Sequence, residues 1–213
     1  MNAQAVARPG GVRPAPLVVG MVLFIASETM FFGALFGTYY TLRAETPVWP
    51  PRGVDLNSSV AEMAVATAIL AASSIPAHLA AHAIRDGSQV SAVRRLLVTS
   101  VMGLIFLGLK VHDWLTAGFS ISSHAYGTIF FTLTGFHALH MSAGIILLLG
   151  LAAKVAGGRY AIETPRGAPR PPGARQPPLP RFPQSGGPDA VVYYWHFVDA
   201  VWLTVFGTIW LIR

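Results

Sequence analysis

The chain has 213 residues, of which 53% are hydrophobic and only 11% are charged, and its formal net charge is +6. Typical soluble domains have about 25% charged residues, so these few charges could not cover the surface of a water-soluble fold. No basic helix or basic–aromatic stripe accompanies the positive charge, so nucleic acid is excluded as an expected partner. The lack of cysteine excludes disulfides, thiolate metal sites and iron–sulfur clusters within the chain.

Five apolar stretches are each long enough to cross a bilayer, which takes roughly 20 residues. Helices are predicted at about residues 17–42, 58–84, 93–115, 126–155 and 190–212. These runs are too long for the strands of a membrane barrel, and their apolar and polar residues do not alternate as in such strands. A helix, in contrast, satisfies its own backbone hydrogen bonds in lipid. The first run exceeds the roughly 7–15 apolar residues of a signal-peptide core, so we expect it to be retained. The sequence therefore predicts an all-α integral membrane protein with five transmembrane helices.

The connections between these helices differ in charge. Eleven of the fifteen Lys and Arg residues lie in the tail of residues 1–16, the second-to-third connection and the fourth-to-fifth connection. The opposite side has only Arg43, Arg52 and Arg213, with Lys110 near a helix end. The positive-inside rule then predicts the N-terminus inside and the C-terminus outside.

Residues 163–188 differ in composition from the rest of the chain. Nine of the sixteen prolines fall here, together with several Gly and Arg residues. Such a segment is unsuited to a packed core, so we expect an extended inside loop.

Ionisable residues within the predicted helices are costly in lipid, and each is therefore a candidate functional or structural group. Glu28 lies about eleven residues into the first helix, which places it near mid-bilayer at about 1.5 Å per residue. It is expected to be a protonatable group, an anchor for a partner, or a hydrogen-bonded group inside the bundle.

Four further polar residues form two pairs on the last two helices. His137 and His140 are three residues apart, as are His196 and Asp199, so each pair shares a helix face. A His–Asp pair at this spacing can hold one imidazole tautomer. Glu28, His137, His140 and Asp199 reach similar depths, which predicts one buried polar cluster joining helices one, four and five. The alternative is that each makes a separate packing hydrogen bond.

His78 and His82 lie four residues apart near the inner end of the second helix. With Arg85 nearby, they are candidate contacts for lipid headgroups. A metal or haem site is the less favoured alternative, because a four-helix haem site uses matched His pairs at matched depths. The sequence thus predicts neither a metal site nor catalytic residues in this chain.

Several motifs resemble those of haem–copper oxidase subunit III. Residues 27–32 read Ser-Glu-Thr-Met-Phe-Phe and resemble its Ser-Glu-x-Met-Phe-Phe motif, and residues 49–53 are similar to its Trp-Pro-Pro-x-Gly. Residues 126–131 and 134–140 resemble its fourth helix, and residues 194–202 resemble its closing motif. The matches follow in order from about residue 17 to residue 212.

This resemblance implies a bent helical bundle that packs beside the catalytic subunit I, which reduces oxygen to water and pumps protons, and beside subunit II. The chain would support proton uptake and would hold neither haem nor copper, which belong to its partners. Phospholipids are implied in its cleft, and Glu28 matches the carboxylate that carbodiimides reach in family members. The short five-helix form and the Ala/Arg-rich composition predict a bacterial inner membrane.

Departures from the family pattern leave alternatives open. Asp113 and Trp114 stand where the family more often has Glu and Tyr, and the 163–188 loop is longer than usual. The oxidase branch therefore stays open between a cytochrome c oxidase, a quinol oxidase and a nitric oxide reductase accessory subunit. From the residues alone, a haem or metal oxidoreductase that uses the histidines is a further alternative. A proton-coupled transporter with Glu28 and Asp199 as coupling sites is disfavoured by the lack of a repeat.

Overall fold

The computed structural model describes residues 15–54, 57–158 and 186–212. These residues form five helices, namely α1 (Pro16–Glu45), α2 (Asn57–Arg85), α3 (Gln89–Thr116), α4 (Ala125–Ala156) and α5 (Gly187–Phe206), the last followed by a π-helical turn (Gly207–Leu211). Each is long and apolar enough to span a membrane, and no strand occurs within the described ranges. The predicted fold class is therefore confirmed, while the orientation of the termini stays a prediction.

The helix boundaries differ from the expected ones by a few residues. The third helix begins at Gln89, and the fifth begins at Gly187, so that Pro188 lies in its first turn and not in the loop. A proline fits there because the first helical N–H groups have no partner within the helix. Residues 1–14 of the predicted tail and 163–185 of the predicted loop lie outside the described residues.

Helices α2 to α5 pack as a closed ring, in which α2 contacts both α3 and α5, and α4 contacts both α3 and α5. Helix α1 packs outside this ring, against α4 and α5. In its most apolar window only 6% of the residues are buried, against 56% for the last helix. A helix that is apolar on every side and mostly unburied suits lipid contact.

Three tryptophans, two in α5 and one in the π-helical turn that follows it, fasten this end of the chain to α2. Their indole N–H groups donate to hydroxyls, in the pairs Trp195 to Ser73 (2.9 Å), Trp202 to Thr67 (2.9 Å) and Trp210 to Ser59 (3.1 Å). The order of the residues runs in opposite directions along the two helices, as it must for antiparallel neighbours. Each bond satisfies a polar group that lipid could not satisfy.

Two glycines make room for the indole of Trp195. A Cβ on Gly103 of α3 would come within 2.7 Å of the Trp195 ring, and one on Gly144 of α4 within 3.1 Å. Side chains at these positions would push α3 and α4 away from α5. Small residues at helix contacts in a membrane serve this close approach.

Candidate functional site

Glu28 and His140 meet between α1 and α4. The Glu28 Oε2 atom lies 2.9 Å from His140 Nε2, and His140 Nδ1 lies 2.7 Å from the carbonyl oxygen of Phe136. Because a carbonyl oxygen only accepts, Nδ1 carries a proton and donates it to that bond. Nε2 and Oε2 therefore share one proton, held either as a carboxylic acid beside a neutral imidazole or as a carboxylate beside an imidazolium.

This pair also ties in α5, since the Tyr194 hydroxyl donates to the backbone oxygen of His140 at 3.0 Å. The ring of Phe32 lies edge-on to the imidazole, with 5.1 Å between centroids. The side chains of His140 and Glu28 are 11% and 22% exposed, so the pair lies at the edge of the bundle and not at its centre. It can hold three helices together and still exchange its proton with a group outside.

A second polar group lies on the contact between α2 and α5. The Ser74 hydroxyl donates to Asp199 Oδ2 and lies 3.0 Å from His196 Nδ1. The hydroxyl has one proton, which goes to the carboxylate, so His196 Nδ1 must donate to Ser74 Oγ. Ser74 thus joins His196 to Asp199 and holds the imidazole tautomer, a role that the sequence analysis had assigned to a direct His–Asp contact.

The expectation that Glu28, His137, His140 and Asp199 form one polar cluster is wrong. Within the described ranges, no hydrogen bond links Glu28 or His140 to Asp199. Asp199 follows Tyr194 by five residues, which is about 140° around an α-helix of 3.6 residues per turn. Tyr194 therefore faces α4 while Asp199 faces α2, although the depths along the helices are similar.

His137 lies apart from both groups. It is fully buried between the rings of Phe106 and Trp202, whose centroids are 5.8 and 5.0 Å from its own. Neither ring nitrogen has a hydrogen-bond partner among the described residues. The structure therefore places His137 in the aromatic core and not beside Glu28.

The predicted headgroup residues line the end of the α2–α5 contact. His78 and His82 approach each other at 3.1 Å between their Nε2 atoms, and the His78 ring lies 6.4 Å from that of His196. Arg85 Nη1 binds Asp189 Oδ1 of α5 at 2.7 Å, with both side chains exposed.

No group of three or more His, Cys, Asp or Glu side chains in the described parts of the chain is arranged to hold a metal ion.

Sequence reasoning missed a buried ion pair within α3. Lys110 Nζ lies 2.6 Å from Asp113 Oδ2, and these side chains are 0% and 4% exposed. Four aromatic rings surround the ammonium, with centroid distances of 4.7 Å to Phe130, 4.8 Å to Trp210, 5.7 Å to Trp114 and 5.8 Å to Trp202. Opposite charges three residues apart in an apolar run could have predicted the pair, but Lys110 had been assigned to a helix end.

Comparison with known proteins gives a consistent result. A family model described as cytochrome c oxidase subunit III matches residues 12–158. The chain is 34% identical to a probable cytochrome c oxidase subunit 3 of Nocardia farcinica over 205 residues, which cover 94% of this chain and 90% of the relative. It is 30% identical to cytochrome c oxidase subunit 3 of Thermostichus vulcanus, over 92% of this chain and 87% of the relative. It is also 32% identical to the Branchiostoma floridae protein of that name, over 90% of this chain and 67% of the relative.

Proposed function

Because the chain belongs to the cytochrome c oxidase subunit III family and is a subunit III of a haem–copper oxidase, we propose that it supports the catalytic subunit without performing the chemistry itself. In this proposal it packs beside the haem–copper subunit I and beside subunit II, and it assists oxygen reduction and proton uptake. Haem and copper reside in those partners, and this chain holds neither. The multi-pass membrane fold and the bacterial relatives support a location in a bacterial inner membrane.

The observation that carries the proposal is the Glu28–His140 pair. It joins the outlying helix α1 to the ring of four helices, and it holds one shared proton at the edge of the bundle. Both nitrogens of His140 are engaged, by Glu28 and by the Phe136 carbonyl oxygen. An imidazole used in this way stabilises the bundle and is poorly placed to bind a metal in a second role.

The oxidase branch follows from the relatives. Those compared above are named as cytochrome c oxidase subunits, which supports cytochrome c as the electron donor of the complex. A quinol oxidase and a nitric oxide reductase are correspondingly less favoured.

Phospholipids are the further partners in this proposal. Helix α1 presents an apolar surface that only lipid or another membrane protein could cover. Arg85, His78 and His82 are exposed near the end of α2, where headgroups lie. A headgroup phosphate would compete with Asp189 for the Arg85 guanidinium.

The test compares the purified complex with and without this chain. We expect haem and copper contents to be unchanged by its loss, while oxygen consumption and proton uptake during turnover fall. Loss of the haem spectrum together with the chain would overturn the proposal, because the chain would then hold the redox groups.

Two matched variants then test the pair that carries the proposal. Glu28→Leu should reproduce part of the loss of proton uptake. Glu62→Leu should not, although Glu62 makes a similar bond of 2.9 Å to His112 on the exposed side of α2 and α3. Equal effects of the two variants would contradict a specific role for Glu28.

A further inference from the structure

We propose that the contact between α2 and α5 carries protons between the membrane surface and Asp199. Five residues form this path, which we call the histidine track: His82, His78, His196, Ser74 and Asp199. The ligand of the site is a proton, and its final acceptor is a carboxyl group near the middle of the membrane.

The inner half of the track is a directed hydrogen-bond chain. His196 Nδ1 donates to Ser74 Oγ (3.0 Å), and the Ser74 hydroxyl donates to Asp199 Oδ2. Every donor in this chain points toward the carboxylate. Asp199 Oδ1 has no hydrogen-bond partner among the described residues, so the carboxyl group has a free position for a second proton-exchanging contact.

The outer half of the track is a pair of exposed imidazoles. His82 lies three residues before Arg85, the last residue of α2, and is therefore within one turn of the helix end. Its Nε2 atom lies 3.1 Å from that of His78. Only one of these nitrogens can carry the proton in such a contact, so the two rings share a proton and pass it between them.

The two halves meet at His78 and His196. Their ring centroids lie 6.4 Å apart, which is too long for a direct bond in this arrangement. His78 is exposed, so its side chain can change rotamer and bring Nε2 toward His196. This is the one step of the track that needs motion.

Exposure falls along the track in the order that a path from water requires. His82 and His78 are exposed, His196 and Ser74 are half-buried, and Asp199 is buried. From His82 to Ser74 the path covers eight residues of α2, which is about 12 Å along the helix axis.

The proton balance of each transfer closes within the track. A proton that reaches His196 Nε2 allows Nδ1 to release its own proton to Ser74 Oγ. Ser74 in the same event gives its hydroxyl proton to Asp199 Oδ2, so the serine ends neutral and the carboxylate becomes a carboxylic acid. His196 is left neutral with its proton on Nε2. The starting tautomer returns when the same steps run in reverse, in which Asp199 gives a proton back to Ser74, Ser74 gives its own to Nδ1, and Nε2 releases its proton toward His78.

The other charged groups near the track are engaged elsewhere. Asp189 of α5 binds Arg85 of α2 at 2.7 Å. On the α3 side, Arg95 donates to the Leu79 carbonyl oxygen at 2.7 Å.

On the α1 and α4 side of α5, Glu28 and His140 bind each other. His137 of α4 lies among aromatic rings. Asp199 is therefore the one carboxyl group on the path, which makes it the acceptor.

The test is infrared spectroscopy of the purified complex, in which a protonated carboxyl group gives a resolved C=O band. The Asp199 band is identified by its loss in Asp199→Asn. We expect it to appear on acidification and to shift when H₂O is replaced by D₂O. His196→Gln keeps a donor for Ser74 but cannot relay a proton, and it should slow that shift by about 100-fold, within the range typical of a positioned proton-transfer group.

Two further variants complete the experiment. His82→Gln changes an exposed side chain at the surface end of the track, and it should also slow the shift. Ser73→Ala is the control, because Ser73 is the neighbour of Ser74 but bonds Trp195 outside the track, and the shift should keep its rate. Equal rates in all variants, or no pH-sensitive band from Asp199, would overturn the proposal. The haem spectrum and subunit content, recorded on each sample, report separately on the proposed oxidase role.

Discussion

Two of the groups of ionisable residues in the helical bundle, the Lys110 pair and the histidine track, are built in opposite ways. Around Lys110, charge and bonding are complete, because the ammonium has a carboxylate at 2.6 Å and four aromatic rings within 5.8 Å. Along the histidine track, bonding is incomplete, because it begins at exposed imidazoles and ends at Asp199, one oxygen of which has no hydrogen-bond partner among the described residues. A charge that is fully paired and enclosed has no group to exchange a proton with, whereas the track can take up protons at its exposed imidazoles.

The comparison teaches that burial alone does not identify a functional group in a membrane protein. Lys110 is more deeply buried than any residue of the track, yet its surroundings indicate a structural role. Cation–π contacts are worth about 0.5–2 kcal/mol each, and they offset part of the large desolvation penalty of the ammonium. What separates the two regions is the row of polar side chains that leads from Asp199 toward exposed imidazoles near the end of α2.

The largest loss of stability is expected when Lys110 loses its charged partner. Asp113→Asn leaves the ammonium without its charged partner, so the free energy of unfolding should fall by about 3–5 kcal/mol. Tryptophan fluorescence in a reversible detergent titration measures this change, since Trp114, Trp202 and Trp210 all surround Lys110. The double variant Lys110→Met with Asp113→Leu should recover most of the loss. If Asp113→Asn lowers the free energy of unfolding by less than about 1 kcal/mol, the ion pair is not shielded from solvent as it is in the structure.

A smaller effect is expected from the bonds that fasten α5 to α2. Thr67→Val removes the acceptor of the Trp202 indole N–H and leaves it unsatisfied in the core. The free energy of unfolding should fall by about 1–2 kcal/mol. Thr38→Val is the matched control, because the Thr38 hydroxyl is exposed and, within the described ranges, bonds only to the Ala34 carbonyl oxygen of its own helix. If both variants behave alike, the interhelical bonds do not hold the contact together.

The separation of the two polar groups predicts additive behaviour. Glu28→Leu and His140→Leu share a bond, so a double-mutant cycle should give a coupling of about 0.5–3 kcal/mol. Glu28→Leu and Asp199→Leu share none, and their effects should add to within about 0.5 kcal/mol. Coupling between Glu28 and Asp199 as strong as that between Glu28 and His140 would restore the single cluster.

The smallest effect is expected at the exposed pair of His112 and Glu62. The His112 side chain is 61% exposed, and exposed ion pairs contribute about 0–1 kcal/mol. Glu62→Gln should therefore change the free energy of unfolding by less than about 1 kcal/mol. A larger loss would mean that the bond is shielded in the complex, and would indicate a partner that covers this face of α2 and α3.

The helices could be predicted from the sequence because a bilayer leaves so few options for an apolar run of this length. The residues Glu28 and Asp199 could be selected as well, since a carboxyl group in an apolar helix stands out. Their partners were harder to predict. Two hydrogen bonds determine which polar residues lie together, one from Ser74 to Asp199 and one from Tyr194 to His140. Ser and Tyr are common in such helices, and the sequence does not show which neighbouring helix their hydroxyls face.

The Lys110–Asp113 pair is the opposite case. Its residue types were informative, but the burial of Lys110 was judged from its distance to the end of the helix. Lys110 lies six residues before Thr116, the last residue of α3, and so was counted among the charges at the membrane surface. The rings that enclose it come from three helices. Enclosure of this kind depends on tertiary packing, which depth along one helix does not specify.

The most direct test of the central claim is purification of the tagged chain from its native membrane in mild detergent, with mass spectrometry of the proteins that accompany it. We expect a stoichiometric partner that carries haem and copper, together with an electron-accepting subunit that identifies cytochrome c as the donor. A chain that purifies alone, with haem bound to its own histidines, would contradict it.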